Sequence, residues 1–367
     1  MRRSILSRMR LALVLILLVT GMAHAQVPDA ISDQEFRRLV TEMSETGGVF
    51  QAEYMSNEDS SQFVIPALQQ TTRPGGVYIG VGPEQNFTYI AAIRPRLAFV
   101  LDIRRDNMLE HLMYKALFEL SPDRADFVAR LFSRKRPAGL STNSSVRVLF
   151  DAYEPLATDT TLFEETSRAV INNLVNDHRF QLSESDKTGI TRMLNTFRTA
   201  GPSTLKGSGD KNMTYAQAMA GTDLTGRPQS YLATEEAFKF VQDLQRRNLI
   251  VPLVGDFAGD KTIRSIGRYL RESNAMVNVF YVSNVERYLF DQGDHGKQFY
   301  ANAAALPMDQ SSTFIRSVTS DISRRLGVPL PDGTANWRSF LSPMSDTLKA
   351  FSEGRIQNYR QLFEIVR

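Results

Sequence analysis

The sequence predicts an α/β protein: a mostly parallel sheet interrupted by a long, mostly helical insertion. Three observations carry this. Short apolar runs (VYIGVG, LAFVLDI, LIVPLVGDF, MVNVFYVSN) alternate with helix-compatible stretches, the pattern of a parallel sheet flanked by helices. Each run ends in glycine, acid or small polar residues, where such a sheet presents its ligand face. Residues 121–247 break the alternation with successive helical periodicities, among them DRADFVARLFSRK, FEETSRAVINNLVNDHRF and TEEAFKFVQDLQRRN.

The first 25 residues stand apart. MRRSILSRMR carries four arginines and no acid, LALVLILLV is a short apolar run, and Ala23-His24-Ala25 offers a small-x-small cleavage site. That order predicts a secretory signal peptide, hence export to the periplasm or beyond. The run is too short for an ordinary membrane span, so none is expected after cleavage. The whole chain has a formal charge of +3, but removing the leader leaves bases and acids nearly balanced. The electrostatic footprint of a nucleic-acid binder is then missing.

Residues 26–74 form an N-terminal segment. SDQEFRRLVTEMSET predicts a helix opened by a Ser32–Glu35 capping box, with Phe36, Leu39, Val40 and Met43 as its apolar stripe. An irregular stretch follows and holds the acidic cluster Glu53, Glu58 and Asp59. Residues 75–120 give strand, short helix, strand and the Leu- and Met-rich helix NMLEHLMYKALFEL, expected to be apolar on one face. Residues 248–367 return to strands and helices, with SSTFIRSVTS a further strand. There is no cysteine, which excludes disulfides, thiol catalysis and cysteine-held metals. The histidines have no HxxxH or HExxH spacing, so no metal site is expected.

The chemistry collects at the strand ends. Gly80 and Gly82 of GVYIGVGPEQNFTYI permit a sharp turn and close backbone approach to a ligand. Asp102 follows Gly82 by about 20 residues, the spacing of an acid that accepts from ribose hydroxyls. Asp256 follows the third strand and is placed to accept from an exocyclic amine. Ser283 and Asn284 end the fourth and face the substrate side of the crevice.

In this order of GxG, acid, Gly-Asp and short polar motif, the chain resembles class I S-adenosylmethionine-dependent methyltransferases. More narrowly, GVYIGVGPEQNFTYI with FVLDIRRDN looks like an uncharacterised bacterial family of that Rossmann-like fold. The resemblance is best over residues 75–120 and 249–290. It implies cofactor contacts at Gly80, Gly82, Asp102 and Asp256, with S-adenosylmethionine as cofactor. The third glycine of a dinucleotide loop is missing, and Glu84 stands where a pyrophosphate would be repelled. The Asn/Asp-Pro-Pro-aromatic pattern of amino-group methyltransferases is also missing after the fourth strand. The methyl acceptor is therefore undefined, and Glu84, Asn284 and Glu286 are the catalytic candidates. The expected function is an exported methyltransferase-like protein with a small molecule in the crevice. The alternative is a non-catalytic periplasmic binding protein that keeps the fold, since adenosylmethionine is made in the cytoplasm. A hydrolase is a third class, but GxSxG is absent and the serine strings lack a histidine partner.

Overall fold

The computed structural model describes residues 27–51, 54–206, 213–319, 324 and 337–365. The leader expected over residues 1–25, and Glu53 of the acidic cluster, lie outside the described residues. In chain order the elements are α1 (Asp33–Glu42), α2 (Ile65–Thr71), β1 (Val77–Val81), α3 (Gln85–Ile93), β2 (Leu97–Asp102) and α4 (Arg105–Leu120). Then come α5 (Arg124–Phe132), α6 (Val146–Tyr153), α7 (Thr160–Asn172), α8 (Glu184–Ala200), β3 (Leu205–Lys206), β4 (Met213–Thr214), α9 (Tyr215–Ala220) and α10 (Glu235–Arg246). The chain closes with β5 (Ile250–Val254), α11 (Thr262–Glu272), β6 (Val277–Ser283), α12 (Val285–Phe290), α13 (His295–Ala304), β7 (Met308–Thr319), β8 (Trp337–Pro343), α14 (Met344–Ser352) and α15 (Tyr359–Ile365).

The main sheet runs β5-β2-β1-β6-β7-β8. Its first five strands are parallel, and β8 pairs antiparallel with β7 along the far edge. Every residue of β1, β2 and β5 is buried. Side chains alternate between faces, so both faces are covered, which is why these strands read as unbroken apolar runs. Pro252 cannot donate to a ladder, and β5 is the edge strand, where proline is tolerated. The open side of that edge is covered by the chain leaving α1: the Glu45 N–H donates to the Val254 carbonyl at 2.9 Å, and Ser44 Oγ accepts from the Val254 N–H at 3.0 Å.

One expectation is corrected at α4. It is buried on all sides from Asn107 to Phe118, not on one face. It packs against the sheet on one side and the helical insertion on the other. Phe87, Phe118, Phe127, Tyr231 and Phe238 meet edge-on, tilted or stacked around it, so insertion and sheet share one core. Among the described residues, no helix is long and apolar enough to cross a membrane.

The N-terminal helix is fastened by one imidazole. Ser32 caps α1, accepting from the Glu35 N–H at 3.2 Å. His178 Nδ1 lies 2.7 Å from Asp33 Oδ1, and its Nε2 lies 2.6 Å from Glu119 Oε2. Ionised carboxylates only accept, so holding both requires the imidazolium. Burial opposes that charge, but the hydrogen bonds to Glu119 and Asp33 raise the pKa above its ordinary 6.5. Both carboxylates are shifted down, so they stay ionised through the histidine's titration. The contribution of His178 to stability is therefore full below about pH 6.5 and lost as pH rises through the raised value. Urea midpoints should fall across that window, and His178→Gln should remove the fall. A native midpoint flat with pH would refute the contact.

Candidate functional site

A cavity of about 290 Å³ sits beyond the carboxyl ends of β1, β2, β5 and β6. Gly82 and Pro83, Asp102 and Arg104, Asp256, and Ser283 and Asn284 reach it from those four strand ends. A strap over Val49–Gln51 and the segment Ser56–Asn57 complete the wall, with Tyr288 of α12. The strap is anchored at its start and at Phe50. Glu45 accepts from the N–H groups of Asp256, Lys261 and Thr262 at 3.1, 2.8 and 2.7 Å, capping α11. The Gly48 N–H donates to the Ile103 carbonyl at 2.8 Å, and the Phe50 ring meets Tyr288 edge-on at 5.0 Å. That aromatic pair gives the cavity an apolar rim.

The two glycines of the first loop separate in role. Gly82 has φ +75°, and a Cβ there would meet nothing within 4 Å, so its backbone faces open space. Gly80 does not line the cavity. A Cβ on Gly80 would lie 1.9 Å from Asn86 Oδ1 and 2.6 Å from the Tyr78 hydroxyl, so its bare Cα makes room for Asn86. The amide of Asn86 then donates to the carbonyls of Val81, Gly82 and Pro83 at 3.0, 3.0 and 2.7 Å. His111 supports the same loop, with Nε2 2.9 Å from the Gly82 carbonyl. Burial lowers its pKa to about 4. It is therefore neutral, with the proton on Nε2 where the carbonyl can accept it.

Asp102 reaches the cavity already engaged. Its Oδ1 accepts from Arg104 N at 2.8 Å and Nε at 3.0 Å, and its Oδ2 from Arg104 Nη2 at 2.9 Å. Asp256 lines the wall with Oδ1 accepting from the Ala258 N–H at 2.9 Å, a local turn that leaves Oδ2 for other use. Asn284 lies beside Ser283 on the β6 side, its Oδ1 3.4 Å from Ser283 Oγ.

Besides Gly80, two catalytic candidates fall outside the cavity. Glu84 is fully buried beneath the N-terminal segment, where Oε2 accepts from the Ser56 N–H at 3.1 Å. It faces the protein interior, near the buried Glu110, whose carboxyl is pushed well above its usual range by burial and then by Glu84. Glu286 is buried in a fork with Arg316, with Nε 2.6 Å from Oε2 and Nη2 3.0 Å from Oε1, and the Tyr300 hydroxyl donates to it as well. Neither carboxylate lines the cavity. Sequence reasoning missed Arg104, which sits two residues past Asp102 in LDIRR. It also missed the strap.

These features define a mixed α/β protein with a cavity at the carboxyl edge of its sheet. The family described as a domain of unknown function, DUF7790, matches residues 54–141 and 137–365, and the chain belongs to it. A search of curated proteins finds no match to the chain.

Proposed function

We propose that the chain is a methyltransferase-like protein that binds S-adenosylmethionine, or a close adenosine-bearing relative, in this cavity. The observation that carries the reading is the convergence of Gly82, Asp102, Asp256 and Asn284 from four strand ends on one space. Counting sheet strands in chain order, the sequence across the sheet is third, second, first, fourth, fifth, sixth. That is the order of doubly wound Rossmann-like folds, whose ligands bind where the order reverses. The cavity lies at that reversal, between β1 and β6, and its volume is near the lower end of the ~300–1,000 Å³ typical of ligand pockets.

The donor set fits such a ligand in part. Gly82 allows close approach, and Asp256 Oδ2 suits an exocyclic amine. A carboxylate offers about four acceptor positions, and Arg104 fills three of those on Asp102, so one ribose hydroxyl can be taken without moving Arg104. When bound, the cofactor supplies an electrophilic methyl group on a sulfonium. The chain's own residues orient it and, through Phe50 and Tyr288, exclude water. Catalysis would rest on alignment of donor and acceptor.

Calorimetry on the leaderless chain is the test. S-adenosylmethionine should bind, and Asp102→Asn should weaken it by about 1–3 kcal/mol, the cost of one buried hydrogen bond left poorly made. No heat from a cooperatively folded protein would refute the reading. A second reading, a binding protein without turnover, is favoured by the burial of Glu84 and Glu286 away from the cavity. Binding with no transfer of labelled methyl to any periplasmic extract component would select it. An exported location belongs to the same proposal and rests on the leader-like first 25 residues.

A further inference from the structure

Ser283 ends β6 and turns the chain into α12. Its φ is +51°, in the left-handed region that a non-glycine residue rarely takes. It lines the cavity, and its hydroxyl donates to Glu58 Oε1. Glu58 is 2% exposed. Its Oε2 accepts from Ser339 Oγ of β8 at 3.4 Å, and the Tyr281 phenol of β6 also bonds to it. A strained strand-to-helix serine thus faces a cavity with its hydroxyl aimed at a buried carboxylate held by hydroxyls from two strands. A nucleophile in hydrogen-bond reach of a base that other groups orient is the general signature of covalent catalysis. The base here is a carboxylate, so a search for serine–histidine patterns passes over it.

We propose that Ser283 is a nucleophile, that Glu58 is its general base, and that the cavity accepts the acyl group of an ester carrying an apolar or aromatic substituent. The rim of Phe50 and Tyr288 supplies the apolar surface, and the Asn284 amide stands beside Ser283 to polarise the carbonyl. Ser283 Oγ attacks the carbonyl carbon while its proton passes to Glu58. The bond from Oγ to carbon forms, the bond from carbon to the alcohol oxygen breaks, and the alcohol leaves with the proton held by Glu58. Water then releases the acid by the same route. This chemistry does not rest on the cofactor reading and stands or falls separately.

The bland alternative is that Ser283 and Glu58 merely tie the Ser56–Ser61 segment to β6. Incubating the chain with phenylmethanesulfonyl fluoride and mapping adducts by peptide mass spectrometry separates the two. One adduct is expected, on Ser283: its Oγ displaces fluoride from sulfur and the proton goes to Glu58. Ser283→Ala should abolish it, and Glu58→Gln should slow it by about 100-fold or more, the usual worth of a positioned base. No adduct on Ser283 in a cooperatively melting chain would overturn the proposal, as would equal labelling of Glu58→Gln. If Glu58→Gln does not fold, the native chain decides by its pH dependence. A labelling rate that levels off above the titration of a carboxylate supports the base. A rate that climbs about tenfold per pH unit, as an unassisted hydroxyl does, overturns it.

Discussion

Arg316→Met is expected to destabilise the protein by about 3–5 kcal/mol, because it leaves a buried carboxylate without its counter-charge. Arg316 and Glu286 are each only 1% exposed. The guanidinium is anchored further by the Ser342 hydroxyl, and the Tyr300 phenol donates to Glu286 Oε1. Burial works against the Arg316 charge, but Glu286 and the Tyr300 phenol together outweigh it and raise the pKa. A urea titration gives the loss directly. The double replacement Arg316→Met with Glu286→Leu should recover most of it, since a buried pair exchanged for apolar groups of similar size is often close to neutral. If the double variant is as unstable as the single one, the pair has a packing role that its charges do not explain. The same contacts take Glu286 out of the list of catalytic bases.

Gly80→Ala is expected to cost about 2–5 kcal/mol, combining overpacking with hydrogen bonds broken around a buried amide. The added Cβ collides with Asn86 Oδ1, and the Tyr78 hydroxyl that donates to that oxygen at 2.8 Å is close by. Asn86 must then release some of the three carbonyls it holds. Gly82→Ala meets no atom, and its cost is the left-handed backbone alone, about 1–2 kcal/mol. Thermal melts of the two variants should rank Gly80→Ala as the worse. The reverse order would mean that the Gly82 turn, not the Asn86 clamp, holds the loop.

The contrast between these glycines shows what the sequence could convey. A GxG after a strand announces a tight loop, but not whether the missing Cβ admits a ligand or a side chain of the protein itself. At Gly80 the occupant is Asn86, a few residues further on. The β1, β2, β5 and β6 strands were legible because both their faces are buried, which leaves plain apolar runs. β8 was not. In WRSFLSP the buried Ser339 and Ser342 and the half-buried Phe340 and Leu341 fall on both parities, so no period of two survives. α2 was hidden in the stretch read as irregular: it opens IP straight after FV, a β-branched and proline-bearing run that argues against a helix, yet Pro66 sits in the first turn, where its missing N–H costs nothing. Asp102 was legible by spacing and the guanidinium that covers it was not, because contact across two residues at a helix start depends on backbone direction. Glu58 required the whole fold, since its partners lie on β6 and β8.

The placement of β5 beside β2 has a consequence for how quickly the molecule assembles. β2 ends at Asp102 and its neighbour begins at Ile250, with the whole helical insertion between them. Closing a loop of that length loses chain entropy before any ladder bond repays it, and parallel pairing between distant segments is slow. The insertion shortens the search. Once α10 packs on α4, the chain leaves α10 at Arg246 only a few residues from β5, already beside β2. Changes at the contact of α4 with α10 should therefore slow refolding by nearly the full amount of stability they remove and leave the unfolding rate little changed, which paired folding and unfolding kinetics check.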